Sequence, residues 1–267
     1  MKTISKIREL SIKEHDRDAA IFDEEYKNMT KNYYNSAFTY GRKKIETILT
    51  DNLRLLAPAS KILDIGCGTG EQLKLCSRMG FDVTGVEPAE NMRRIAKKNN
   101  PGTDVLNGTI INLPFSNNSF EAVLAIEVIR YLHKRDIIES YREMLRVLKP
   151  GGILFFTMVN LFALDGFYVF DKFKKLCHNI LKLEEPAHCE FTTPWRVQKD
   201  LEALKIKDIK IQGVLFAPLR IIYKFNHNLG AYAAKITDKF ENYRPIEKYM
   251  VPFAGHLIVL AKRPLDE

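Results

Sequence analysis

The chain has 267 residues, 46% hydrophobic and 28% charged, which is enough apolar material for a sizeable core and the composition of a globular protein. Its net charge of +8 suggests a nucleic-acid partner, but the basic residues are interleaved with acids, as in "KIKDIKIQ" and "KITDKFENYRPIEK", so the charge reads as solvated faces and nucleic-acid binding is not expected. No apolar run reaches the ~20 residues that span a bilayer, and the N-terminus lacks the apolar segment of a secretory signal. Cys67, Cys76, Cys177 and Cys189 show neither a CxxC pair nor metal-ligand spacing, so a reduced cytoplasm with free thiols and no metal is expected.

In chain order, residues 1–58 are polar, rich in tyrosine and helical in pattern. Ile45, Ile48, Leu49 and Leu53 recur at helical spacing, which predicts a helix from near Tyr40 to Leu56, stopped at Pro58. The pattern then changes. "KILDIG" reads as a buried strand, "EQLKLCSRM" as a helix closed by Gly80, "FDVTGVE" as a second strand and "ENMRRIAKKN" as a second helix. "TDVLNG" and "FEAVLAIEV" follow as strands, "RDIIESYREMLRVL" as an amphipathic helix stopped by Pro150 and Gly151, and "GILFFTMV" as a fifth strand. Strands alternating with single helices form βαβ units, hence a doubly wound α/β sheet that is mostly parallel and covered on both faces.

Past Asn160 the rhythm loosens. "LFALDGFYVFDKFKKLCHNIL" looks helical, "TPWRVQKDLEAL" is a helix with Thr193 as N-cap and Pro194 at its first position, and "IKDIKIQGVLF" is a strand. "PLRIIYKFNHNLGAYAAKITDKFENY" is again helical and "GHLIVLAKR" is a last strand. The expected organisation is a helical N-terminal lid over 1–58 and a Rossmann-like domain over 59–267, with cap insertions at about 160–207 and about 215–253. The 216–243 stretch places Leu219, Ile222, Tyr223 and Leu229 near Arg220, Lys224 and Lys235, which suits a substrate lid; an interfacial helix in peripheral contact with a membrane remains open.

"LDIGCGTG", Leu63 to Gly70, sets three glycines behind the first strand. A dinucleotide fingerprint needs its third glycine at position 71, which is Glu71, and no Gly-Lys-Ser or Gly-Lys-Thr follows to make a P-loop. Asp64 is a poor neighbour for pyrophosphate and a good one for a cation. Glu87, at the tip of the second strand, suits both hydroxyls of a ribose. A cationic, phosphate-free nucleoside, S-adenosylmethionine, meets both conditions.

These residues carry a family resemblance. "LDIGCGTG" and "GVEPAENM" resemble the first two motifs of class I S-adenosylmethionine-dependent methyltransferases, "LPFSNNSFEAVLAIEVIRYL" resembles the approach to their fourth strand, and "EMLRVLKPGGILFF" their helix, turn and fifth strand. "AHCEFTTPWRVQKDLEALKIKDIKIQGV" is similar to a segment of the quinone-biosynthesis-like, small-molecule branch. The resemblance implies a seven-stranded sheet with an antiparallel last strand and methyl transfer from S-adenosylmethionine to a small organic acceptor. Alternatives are an RNA- or nucleic-acid-directed methyltransferase and a non-catalytic cofactor-binding protein.

Carried over residue by residue, the resemblance lays the cofactor's methionine part against Gly66, Cys67, Gly68 and Gly70, with Asp64 at its amino end. It gives the ribose to Glu87 and sets Pro88 and Met92 near the adenine. Thr109 stands where the family usually has an adenine-binding Asp, with the Ile110 backbone beside it. Ile126 lies in "AIEVIRYLH", the segment expected to line the methyl group, and Arg42 or Tyr34 of the lid is expected to reach the methionine carboxylate. Glu127 and His188 are the candidate bases should the acceptor be a hydroxyl, and Tyr131 occupies a position where related enzymes often carry His.

Overall fold

A computed structural model describes residues 4–182, 188–241 and 249–265. The ends of two predicted segments, at 183–187 and 242–248, therefore lie outside the described residues. Three helices come first: α1 (Ile4–Arg17), α2 (Ala19–Lys31) and α3 (Ala37–Leu53). A capping box starts α3, in which the Thr39 amide donates to the Ser36 hydroxyl and the Ser36 amide donates to the Thr39 hydroxyl. One face of this helix buries Tyr40, Ile45, Leu49 and Leu53, each worth roughly 1.5–3 kcal/mol when fully covered. It ends at Leu53, about a turn before Pro58, so the proline is not what stops it.

The βαβ run follows as expected: β1 (Lys61–Ile65), α4 (Glu71–Arg78), β2 (Asp82–Val86), α5 (Glu90–Asn99), β3 (Asp104–Leu106), β4 (Phe120–Ala125), α6 (Lys134–Val147) and β5 (Leu148–Asn160). Then come α7 (Phe167–Ile180), β6 (Phe191–Thr192), α8 (Pro194–Glu202), β7 (Ile209–Val214), α9 (Leu219–Phe225), α10 (His227–Glu241) and β8 (His256–Lys262). Thr193 caps α8, accepting from the Arg196 amide, with Pro194 at its first position.

The strand order is β3-β2-β1-β4-β5-β8-β7, and β8 runs antiparallel to both of its neighbours. The two-residue β6 pairs off the end of β5, so the sheet has eight strands where seven were expected. Order reverses between β1 and β4, which makes the carboxyl ends of those strands the topological switch point where ligands settle in such sheets.

Alternation along the strands sorts the core into two layers. Ile62, Leu124, Phe155 and Ile258 pack with Tyr40, Ile45 and Leu49 of α3 on one face; Leu63, Val123, Phe156 and Val259 pack with Tyr141 and Met144 of α6 on the other. A third, small cluster joins Ala19, Ala89 and Met92, with Ile12 and Phe22 against it, and seats α1 and α2 on α5.

Candidate active site

Behind β1 the chain turns through Gly66, Gly68 and Gly70 at φ +64°, +56° and +92°, a left-handed path that favours glycine. A Cβ on Gly66 would lie 2.5 Å from Val128 Cγ2, so that position is also too close to its neighbour for a side chain. Val86 O accepts from the Gly66 and Cys67 amides, and the Asn100 side chain donates to Gly70 O at 3.0 Å, fixing the turn between β2 and α5. Glu87, the residue after β2, accepts from the Gly68 amide on Oε2 and the Ala89 amide on Oε1, both at 2.9 Å. Burial raises its carboxyl pKa, against those two bonds and Arg93.

Asp64 is 2% exposed, and its Oδ2 has no hydrogen-bond partner among the described residues. Burial pushes its carboxyl up to about 7; Arg42 opposes the shift and Glu87 adds to it. A buried carboxylate oxygen without a donor is costly unless a ligand supplies one. An ammonium is the donor this site suits.

A cavity of about 400 Å³ opens on the turn, with Gly66, Gly68, Glu87, Met92 and Ile126 on its wall. Beside it lies a narrower one of about 120 Å³ bounded by Pro88, Thr109, Ile110 and, from α1, Arg8, Ser11 and Ile12. His15, Gly66, Glu87, Glu127 and Tyr131 border both, so the two are halves of one cleft. Burial raises the Tyr131 hydroxyl to about 12, so it is neutral at ordinary pH.

The far wall of the larger cavity carries a charged network. Glu127 sits at φ +62°, a strained setting for a glutamate, and Thr157 holds it: the Glu127 amide donates to Thr157 Oγ1 at 2.8 Å and that hydroxyl donates to Glu127 Oε1 at 2.9 Å. Arg130 donates to Oε2 at 2.7 Å, and His256 Nδ1 lies 2.8 Å from Oε1. Arg220 Nη2 lies 2.7 Å from His256 Nε2, and Arg220 also pairs with buried Asp165 at 3.0 Å.

Arginine is only a donor, so His256 Nε2 must be the acceptor and Nδ1–H must donate to Glu127. Burial would raise the Glu127 carboxyl, but the His256 ring and Arg130 outweigh it and hold the group well below the ordinary carboxylate range. Glu127 is therefore a fully committed anion and a weak base.

Most of the residues expected from the sequence come together here. Glu127 and Tyr131 border both cavities; Gly66, Gly68, Glu87, Met92, Ile126 and Arg42 line the larger, and Pro88, Thr109 and Ile110 the smaller. Arg42 lies over the Tyr26 ring at 5.2 Å and forms no ion pair among the described residues. Gly70 precedes α4, and Cys67 is buried with its Sγ toward Gly85, so its side chain belongs to the core.

Asp64, Cys67 and Gly70 belong to the turn but are on neither cavity wall, and two further expected residues stand elsewhere. The Tyr34 hydroxyl donates to Asp238 at 2.8 Å, with Tyr33 against it, outside both cavity walls; Arg42 alone of the proposed pair reaches the cleft. His188 lies 3.3 Å from Glu190 and stacks near His133 at 6.3 Å, also outside both walls. The sequence reading missed His15, Arg130, Arg220 and His256. For His256 the one local signal was a histidine at the head of an otherwise apolar strand.

A family model described as a methyltransferase domain matches residues 63–156. An uncharacterized protein of Methanocaldococcus jannaschii is 32% identical over 200 residues, 68% of this chain and 76% of that protein. The demethylmenaquinone methyltransferase of Renibacterium salmoninarum is 34% identical over 97 residues, 36% of this chain and 40% of that enzyme's length. Among solved structures, a SAM-dependent methyltransferase of Thermotoga maritima shares the fold at a TM-score of 0.58 and 20% identity, over 93% of this chain and 97% of that one.

Proposed function

The chain belongs to the class I S-adenosylmethionine-dependent methyltransferases, and from that premise we propose that it methylates a small organic acceptor held against Glu127, Arg130, Arg220 and His256. The observation that carries the cofactor half of this reading is the partnerless Oδ2 of Asp64 beside a turn whose three glycines are left-handed. Asp64 accepts the ammonium; Glu87, which uses one lone pair on each oxygen for Gly68 and Ala89, has the others for ribose hydroxyls. Arg42 faces the carboxylate, and Pro88, Thr109 and Ile110 enclose the adenine. The cofactor supplies an electrophilic methyl on a sulfonium.

The chain's own part in the transfer is to align the acceptor and keep the site dry, which α1 and α2 do as a lid. Glu127 orients His256. When the acceptor is a hydroxyl, His256 Nε2 takes its proton in place of the hydrogen bond it now accepts from Arg220.

Thermal denaturation tests the reading. S-adenosylmethionine and its demethylated product, each at 100 times its dissociation constant, are expected to stabilise the protein by about 2.7 kcal/mol, and NAD not at all. Glu87→Ala is expected to abolish the shift; a shift retained in full would refute the ribose contact. Labelled methyl transfer to tRNA, and to no small-molecule acceptor, would overturn the acceptor class.

A further inference from the structure

The helices after β5 are turned the wrong way round for a protein that meets only water. On α7, Val169, Phe173, Leu176 and Ile180 recur at i, i+4, i+7 and i+11, and all four are between 55% and 69% exposed. An amphipathic helix on a soluble domain buries such a stripe. Along α10 the pattern repeats: Leu229, Tyr232, Ile236 and Phe240 follow one another at helical spacing, all exposed, and Phe225 at the end of α9 is 85% exposed. The helices meet where Lys224 of α9 lies over the Phe170 ring of α7 at 4.4 Å.

Among the described side chains, the exposed charges on these helices are lysines. Lys172, Lys174, Lys224, Lys235 and Lys239 are exposed. The acids whose side chains are described on these helices are already engaged: Asp171 is buried and pairs with Lys175, and Asp238 pairs with Lys44 and accepts from Tyr34. We infer that α7 and α9–α10 form a docking surface for an anionic lipid surface, lying in its plane with the apolar stripes in the headgroup boundary and the lysines on the phosphates.

Charge selects this occupant over the others. A second copy would set these exposed lysines against one another. Nucleic acid would satisfy the lysines and leave the aliphatic stripes in water. No described helix is long and apolar enough to cross a membrane, which suits a helix that lies on one. The surface also connects to the cleft: Phe167, the first residue of α7, sits with its ring centre 4.1 Å from Arg220 Cζ and 4.8 Å from Arg130 Cζ. The inference is independent of which acceptor is methylated.

Flotation of the full chain with vesicles of phosphatidylcholine, alone or mixed equally with phosphatidylglycerol, tests it. Binding is expected to the mixed vesicles only and to weaken as salt is raised. The exposed double variant Phe173→Ser/Phe225→Ser is expected to lose roughly tenfold in binding, and Lys172→Ser/Lys239→Ser to lessen the salt dependence. Both should retain the thermal shift with the demethylated cofactor, which separates this surface from the cofactor site. Absence of binding to the mixed vesicles, unchanged binding by the double variant, or a dimer in sedimentation velocity that Phe173→Ser/Phe225→Ser dissolves would each overturn the inference.

Discussion

Asp64 makes the ligand-free protein sensitive to pH in an unusual direction. Burial pushes its carboxyl up to about 7 from the ordinary 3.8, so between those values the folded state holds a proton that the unfolded chain has released. The stability that this proton represents is complete below the unfolded pKa and is lost as pH rises through about 7, an effect of roughly 4 kcal/mol at most. Asp64→Asn is expected to flatten that slope in urea titrations run across the same range. Binding has the opposite sign: an ammonium prefers the ionised carboxylate, so cofactor affinity should rise with pH through about 7, with release of a proton below it. Calorimetry in buffers of different ionisation enthalpy would detect that proton, and its absence would remove Asp64 from the ammonium site.

Among the elements, α5 depends on a group far away in sequence. Its N-cap, Ala89, offers no side chain to the first-turn amides; Asp16 of α1 supplies a carboxylate instead, accepting from the Asn91 amide at 2.6 Å and from Asn91 Nδ2 at 3.0 Å. Asp23 of α2 accepts from Asn99 at the other end of the same helix at 2.8 Å. Helices α1 and α2 are thus latched to the helix that begins beside Glu87. Asp16→Ala is expected to cost ~1 kcal/mol, the usual value of a cap, and to weaken binding of the demethylated cofactor by roughly fivefold. Isothermal calorimetry on the variant checks this, and an unchanged dissociation constant would show that α1 has no part in holding the ligand.

For the whole molecule, what the sequence discloses depends on how local the cause is. The glycine turn, Glu87, the Thr193 cap and the βαβ rhythm are each written in a few consecutive residues, and all stand where expected. The predicted run of β4 through Val128 fails because the chain leaves the sheet after Ala125, where Thr157, thirty residues on, captures the Glu127 amide. The Glu127–Arg130–Arg220–His256 network draws on three separate elements or loops, so no spacing announces it. The same reasoning orders the stability of the parts. The sheet is clamped between two extensive apolar layers, whereas α1 and α2 rest on the small cluster around Ala19, Ala89 and Met92 and on a few polar latches. Segments with so little buried apolar contact open first. In amide hydrogen exchange without ligand, α1 and α2 are therefore expected to exchange well before β1, β4 and β5. The demethylated cofactor, which fills the cleft that Ser11, Ile12, His15 and Phe22 help to wall, is expected to slow α1 and α2 selectively and to leave the central strands unchanged. Protection gained uniformly across the sheet, or none in α1, would show that these helices do not close over the ligand.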